Sequence, residues 1–300
     1  MFRKISILIT ILLLSFSNYG YAAKKVKVVA STTDIASIAK EIGKDKISIS
    51  SLASGKSDPH YVEVLPSYMR KVSKADLYLK VGMSLDFWAD LIIEGSRNSK
   101  LYIADCSDGI TPLEVPKQQV DASMGDVHPE GNPHYQLDPE NGHIIAGNIY
   151  KALVAVDPEN DGFYKANLDA FNKKLDEKIK EWKQKAAPLR GMEVITYHKS
   201  WSYFSRAFGI KIIDTVEPKP GIEPTPSHTK ELINLIKTRN IPLIIKEPYY
   251  SNRAPNTIAR ATGIKVLQLP PSVGGAESVN DYFALFDYLI NSLLEVKEEA

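Results

Sequence analysis

Apolar positions in this chain fall into short β-rich runs separated by stretches of helical period. Residues 26–30 and 47–52 read as strands, with a helical pattern over 35–42 between them. Residues 77–81 and 101–104 continue the strand series, and 87–93 between them reads as helix. Such alternation predicts βαβ units and a mostly parallel sheet. The pattern then breaks. Residues 112–139 are rich in Pro, Gly, Asp and Asn and lack apolar period, which predicts a long loop. Asp138-Pro139 opens a helix with proline in its first turn, and Ile145, Ile149, Leu153 and Val156 follow at helical spacing.

The next stretch carries the clearest periodicity. Residues 163–187 contain no Pro or Gly, and Tyr164, Leu168, Phe171, Leu175, Ile179 and Trp182 recur every three or four positions among lysines and acids. A helix of that length spans roughly 35–40 Å, about the width of a small domain. It is suited to be a stiff connector, although a surface helix of one domain would show the same composition. Beyond it the α/β rhythm returns. Residues 193–198, 211–216, 241–247 and 264–269 are strand-like, and helical patterns between them end at Gly209 and Gly263. Thr225-Pro226 supplies an N-cap and a first-turn proline, and 279–296 is a last amphipathic helix. The expected architecture is α/β: a lobe over 24–158, a linking helix over 159–188 and a second lobe over 189–300.

The first 23 residues have a separate character. Arg3 and Lys4 precede an apolar run from Ile5 to Leu14, and small residues at Ala22 and Ala23 precede Lys24. That order predicts a secretory signal peptide, too short in its apolar part to span a bilayer comfortably. No cysteine stands near the cleavage zone, so a lipid anchor is not expected and a periplasmic protein is. The single cysteine, Cys106, excludes an intramolecular disulfide and a multi-cysteine metal site, and is expected to be buried and inert. With 37 basic and 36 acidic residues the charges nearly cancel, which offers no electrostatic case for nucleic acid.

Candidate chemistry sits at strand ends. His60 follows the second strand, His134 lies in the long loop, and His198 and Glu247 close the runs 193–198 and 241–247. In open α/β sheets ligands bind beyond the carboxyl ends of the strands, so these four side chains could converge on one cleft. Three neutral imidazoles and a carboxylate would make a four-coordinate shell for zinc. Taken singly, each also has an ordinary reading as a surface or hydrogen-bonding residue, and their long spacings form no compact motif.

Three segments together carry a resemblance. Asp58-Pro-His-Tyr-Val-Glu63, Asn132-Pro-His-Tyr-Gln-Leu-Asp-Pro139 and Thr196-Tyr-His-Lys-Ser-Trp-Ser-Tyr-Phe204 resemble the metal-binding motifs of the zinc/manganese solute-binding proteins of ABC importers, the cluster 9 or A-I family. Val216-Glu-Pro-Lys-Pro-Gly-Ile-Glu-Pro-Thr-Pro226 is similar to the loop that follows the third motif. The resemblance covers essentially the whole chain after the signal. It implies two parallel-sheet α/β lobes joined by a rigid helix, a metal site in the inter-lobe cleft, and ligands at His60, His134 and His198. Many relatives place an aspartate after the last strand, where this chain has Pro270 and Pro271. Glu247 is therefore the expected fourth ligand, with water, a backbone oxygen or Gln268 competing.

The remaining histidines are expected to play other parts. His128, six residues before His134 on the same loop, reads first as a solvated loop residue, with transient metal uptake as the competing reading, and His143 and His228, in the first turns of helices, read as structural. Glu63 is expected to accept a hydrogen bond from the other nitrogen of His60. The function that follows is a monomeric receptor, not an enzyme, that captures zinc and passes it to a membrane permease. Manganese suits carboxylate-rich sites better. A zinc hydrolase with Glu247 as general base is the competing reading, though no His-Glu-x-x-His motif or nucleophile elbow is present.

Overall fold

Residues 24–298, except 119, 122 and 123, are described by a computed structural model, and the signal-like segment 1–23 lies outside them. Two parallel four-stranded sheets form among these residues. In the first, β1 (Val26–Ala30) is flanked by β2 (Ile47–Ser51) and β3 (Leu77–Lys80), with β4 (Tyr102–Asp105) outermost, giving the order β2-β1-β3-β4. The second repeats it. There β5 (Glu193–Thr196) lies between β6 (Lys211–Thr215) and β7 (Leu243–Lys246), and β8 (Lys265–Gln268) completes the order β6-β5-β7-β8. Strands covered on both faces need side chains that tolerate burial throughout, and β3 and β7 are accordingly near-continuous apolar runs. In each sheet the chain runs one way and then reverses across its first strand. A crevice opens at that reversal, beyond the carboxyl ends of β1 and β3 in one lobe and of β5 and β7 in the other.

The helices are α1 (Thr33–Gly43), α2 (Pro66–Val72), α3 (Trp88–Ser96), α4 (Asn141–Val156), α5 (Asp161–Lys185), α6 (Ser202–Phe208), α7 (Pro226–Arg239), α8 (Arg253–Thr262) and α9 (Tyr282–Glu298). The long periodic stretch is α5, with Tyr164, Leu168, Phe171, Leu175, Ile179 and Trp182 all buried along one face. Its first part packs on α1 and α4, its later part on α9. Trp182 donates its indole N–H to Asp287 at 2.8 Å and lies against the ring of Phe286, 4.9 Å between centroids. A single apolar core runs from Val26 and Leu77 of the first lobe through this helix to Trp201, Leu243 and Phe286.

Three details differ from the sequence expectation. Helix α2 has no apolar period to betray it, because only Val72 among its seven residues is buried. Helix α4 starts at Asn141, since Asp138 uses its side chain to hold the Glu140 N–H (3.1 Å) in a preceding turn. The strands also stop before the apolar runs do. β5 ends at Thr196 and β7 at Lys246, which leaves His198 and Glu247 outside the ladders. The capping signals hold. Thr225 accepts the His228 N–H at its side chain, and Gly209 and Gly263 end their helices with φ of 72° and 80°.

Candidate metal centre

Each of three histidines is delivered by a short, well-bonded turn. After β2, Leu52 and Ala53 extend the pairing with Ala30 and Ser31, and the chain then turns through Asp58 and Pro59. The Asp58 carboxylate accepts both the backbone N–H of His60 (3.0 Å) and a bond with its ring Nδ1 (2.7 Å). Trp88 clamps the same turn by donating to the Pro59 carbonyl at 2.9 Å. His134 is set by Asn132. That side chain accepts the His134 N–H (3.0 Å) and donates to the Lys199 carbonyl (2.8 Å), tying the long loop to the other lobe. His198 stands just past β5, and its Nδ1 bonds Glu217 at 2.8 Å.

These turns bring the three rings to one point. Centroids of His60, His134 and His198 are 5.1, 5.2 and 5.5 Å apart pairwise. One ligand nitrogen from each lies within 4.8 Å of the others, and the residues are 4 %, 2 % and 3 % exposed. Nε2 of His60 and of His134 is buried with no hydrogen-bond partner. A buried polar atom left unpaired costs free energy, and a cation between the rings would supply the missing partner. Burial, reinforced by the neighbouring imidazoles, holds His134 well below the ordinary histidine range, so it is neutral with its lone pair free. That is the form a metal requires.

The carboxylates in contact with the rings are Asp58 and Glu217. Burial opposes the charge of Asp58, but the hydrogen bond and the charge of His60 outweigh it and leave its pKa below the usual value. Sequence reasoning expected Glu63 to support His60. Instead Glu63 is exposed and Asp58 does so, from two residues before the ring. Glu217 lies in the loop quoted for the resemblance, and nothing in the local sequence marked its bond to a histidine nineteen residues earlier.

Glu247 is fully buried, but the structure does not bring it into the group of three. Ser200 and Trp201 face it, yet neither of its oxygens completes a hydrogen bond. Burial raises its pKa to about 8. Gln268, the competing oxygen, is exposed. His128 also departs from expectation. It is half-buried, its ring is stacked on His60 at 5.3 Å, and burial together with the neighbouring histidines lowers its pKa to about 3. His143 and His228 are structural: the first bonds Asn172 (2.9 Å) and Asp176 (3.1 Å) on α5, the second the Thr215 carbonyl (2.8 Å). Cys106 is buried.

A cavity of about 60 Å³ touches the site, lined in part by Asp126, His128, His134 and His198. A larger one, about 690 Å³ between α7 and α8, contains none of these histidines.

Comparison with known proteins follows the same direction. The model of the family described as zinc-uptake complex component A periplasmic (ZnuA) matches residues 28–296. The manganese ABC transporter substrate-binding lipoprotein PsaA of Streptococcus anginosus is 30% identical over 285 residues, 91% of this chain and 90% of that protein. A crystal structure of ZnuA superposes with a TM-score of 0.80 at 27% identity, covering 91% of this chain and 99% of that one. A zinc-bound ZnuA carrying a 138–173 deletion gives 0.77 at 27% identity, over 90% and 97% of the two chains.

Proposed function

The chain belongs to the zinc-uptake complex component A periplasmic family, and on that premise we propose that it is the zinc receptor of an ABC importer. As a substrate-binding protein of that class it works outside the cytoplasmic membrane, and no helix among the described residues is long and apolar enough to cross one. Its partners are the permease and ATPase of the importer, and it meets them as a monomer. The observation that carries the choice of zinc is the donor set: three buried imidazoles within 4.8 Å of one another. Imidazole suits zinc, while manganese prefers oxygen donors. The names of relatives divide between manganese and zinc, and the nitrogen donors are what support zinc.

We assign the ion to His60, His134 and His198. A dication in a buried cleft needs negative charge nearby, which neutral rings cannot give. Asp58 and Glu217 supply it through the Nδ1 atoms of His60 and His198, and the same bonds fix which nitrogen faces the ion. Both carboxylates are engaged in this way, and Glu247, the general base of the competing hydrolase reading, stands outside the group of three. Two lobes contribute ligands, and binding therefore holds them together while release demands that they part.

The experiment is metal analysis of protein purified without added metal, then competition between zinc and manganese. Zinc should be recovered at one equivalent and should displace manganese. His60→Ala, His134→Ala and His198→Ala should each lower zinc affinity at least a hundredfold, while His143→Ala and His228→Ala bind as wild type. A preference for manganese, or an unchanged affinity in any of the three, would overturn the assignment.

A further inference from the structure

A fourth imidazole stands beside the three, and the receptor reading makes no use of it. His128 stacks on His60, the rings 5.3 Å apart with planes inclined by 28°. Its Nε2 is buried without a hydrogen-bond partner, and the backbone of Ser84 faces the ring. A buried ring nitrogen left bare beside other imidazoles is what a ligating histidine needs.

The surroundings are built to hold that ring. Beyond β3, Gly82, Met83 and Ser84 take φ values of 83°, 48° and 60° in succession. Left-handed backbone at residues with side chains costs of order 1–3 kcal/mol each and persists where the surroundings enforce it. Asp86 enforces it here, accepting the N–H groups of Val81 (2.7 Å) and Gly82 (3.1 Å). The result presents Ser84 to His128 at the end of β3, where the strand order reverses. Residues 124–131 form a strap tied to both lobes. Asp126 donates its N–H to the Pro220 carbonyl at 2.9 Å, and its carboxylate accepts the Tyr61 hydroxyl. Gly125 has φ of 72°, and a Cβ there would lie 2.1 Å from the Pro220 oxygen, so the strap seats tightly on the second lobe. The Gly131 N–H returns to the His128 carbonyl at 3.1 Å.

We propose that His128 is the fourth protein ligand of the ion, carried by the 124–131 strap, which closes over the metal as a lid. The inference rests on the receptor reading of His60, His134 and His198. Like Glu247, His128 stands outside the group of three whose ligand nitrogens lie within 4.8 Å of one another, so the strap moves inward to complete the shell that the late aspartate would otherwise close. Four imidazoles with no directly coordinated carboxylate also sharpen the preference for zinc over harder cations.

X-ray absorption at the zinc edge of the purified full chain, loaded with one equivalent of zinc, counts the imidazoles. Four are expected in the wild type, and three with a light oxygen in His128→Ala. Transfer of zinc to a chelator should be at least tenfold faster in that variant. Tyr61→Phe, which unties the strap from the first lobe and keeps every imidazole, should also speed release while leaving four rings in the shell. The half-exposed position of His128 lets the alanine variant fold, and an unchanged apo melting curve checks it. A three-imidazole shell in the wild type, or equal release rates for His128→Ala and wild type, would sink the inference. If His134→Ala lost zinc in the same series, the receptor reading would stand without it; if His134→Ala kept zinc, both would fall.

Discussion

At the scale of single residues, the division between charged and neutral groups explains the site. His134 is neutral because burial disfavours its cation, whereas Asp58 stays ionised because His60 is bonded to it. Glu247 shows what burial does to a carboxyl group with no such partner. Its folded pKa is about 8 against an ordinary value of 4.5. The folded protein therefore keeps a proton between those values that the unfolded chain gives up, and stability falls as pH rises through that window. Below pH 4.5 the group is neutral in both states and costs nothing. Glu247→Gln, neutral at every pH, should match the wild type near pH 4.5. By pH 8 the metal-free variant should exceed it by on the order of 4 kcal/mol, from about 1.4 kcal/mol per pH unit. Urea denaturation in the presence of a chelator measures this, and a difference independent of pH would show that Glu247 is ionised as usual.

Among the elements, α5 has the most to hold. Its 25 residues span about 37 Å at 1.5 Å per residue and bury one apolar stripe against helices that belong to both ends of the chain. Leu175 lies at the centre of that stripe, fully buried, where the close approach of Gly142 and Tyr282 leaves little room to collapse. Truncating it removes apolar contacts and leaves a cavity, so Leu175→Ala should cost 2–5 kcal/mol, roughly the range for such core deletions. Because the ring contacts and hydrogen bonds of the three histidines involve no residue of the stripe, zinc affinity in the folded variant should remain near that of the wild type. Chemical denaturation and zinc titration of the same sample test both halves; lost affinity with intact folding would mean that α5 sets the ligand geometry directly.

For the whole molecule, an ion held by His60 and His198 would be a cross-link. His60 follows β2 of the first sheet and His198 follows β5 of the second. The chain from Val273 to the start of α9 strengthens the tie, since the Val273 N–H reaches Asp34 at 2.9 Å and the Tyr282 N–H reaches Ser37 at 3.0 Å, both in α1. On the proposed reading zinc would bind the native arrangement alone, so at a hundred times its dissociation constant it should add about 2.7 kcal/mol. For a chain of this size that is a rise of roughly 5–10 °C in melting temperature. His198→Ala, which removes the second lobe's ligand, should abolish the rise. Scanning calorimetry with and without zinc decides it, and a rise that survived in His198→Ala would place the stabilising ion elsewhere.

Sequence alone determined the architecture, because that information is local and periodic. Apolar runs of four to six residues, the stripe from Tyr164 to Trp182 and the caps at Gly209, Thr225 and Gly263 each reflect forces acting within a few residues. Three ligand candidates were legible through resemblance: singly each histidine has an ordinary reading, and the segments around His60, His134 and His198 together match a family's metal-binding motifs. What the sequence could not supply was pairing across distance. Glu217 meets His198, His128 meets His60, and Glu247 turns to Ser200 and Trp201, through contacts that no spacing encodes. Glu247 ends an apolar run much as His198 does, yet the side chain after a strand is aimed by the backbone of its own turn. Only the packed lobes fix that direction, and with it which buried groups share a proton, a hydrogen bond or an ion.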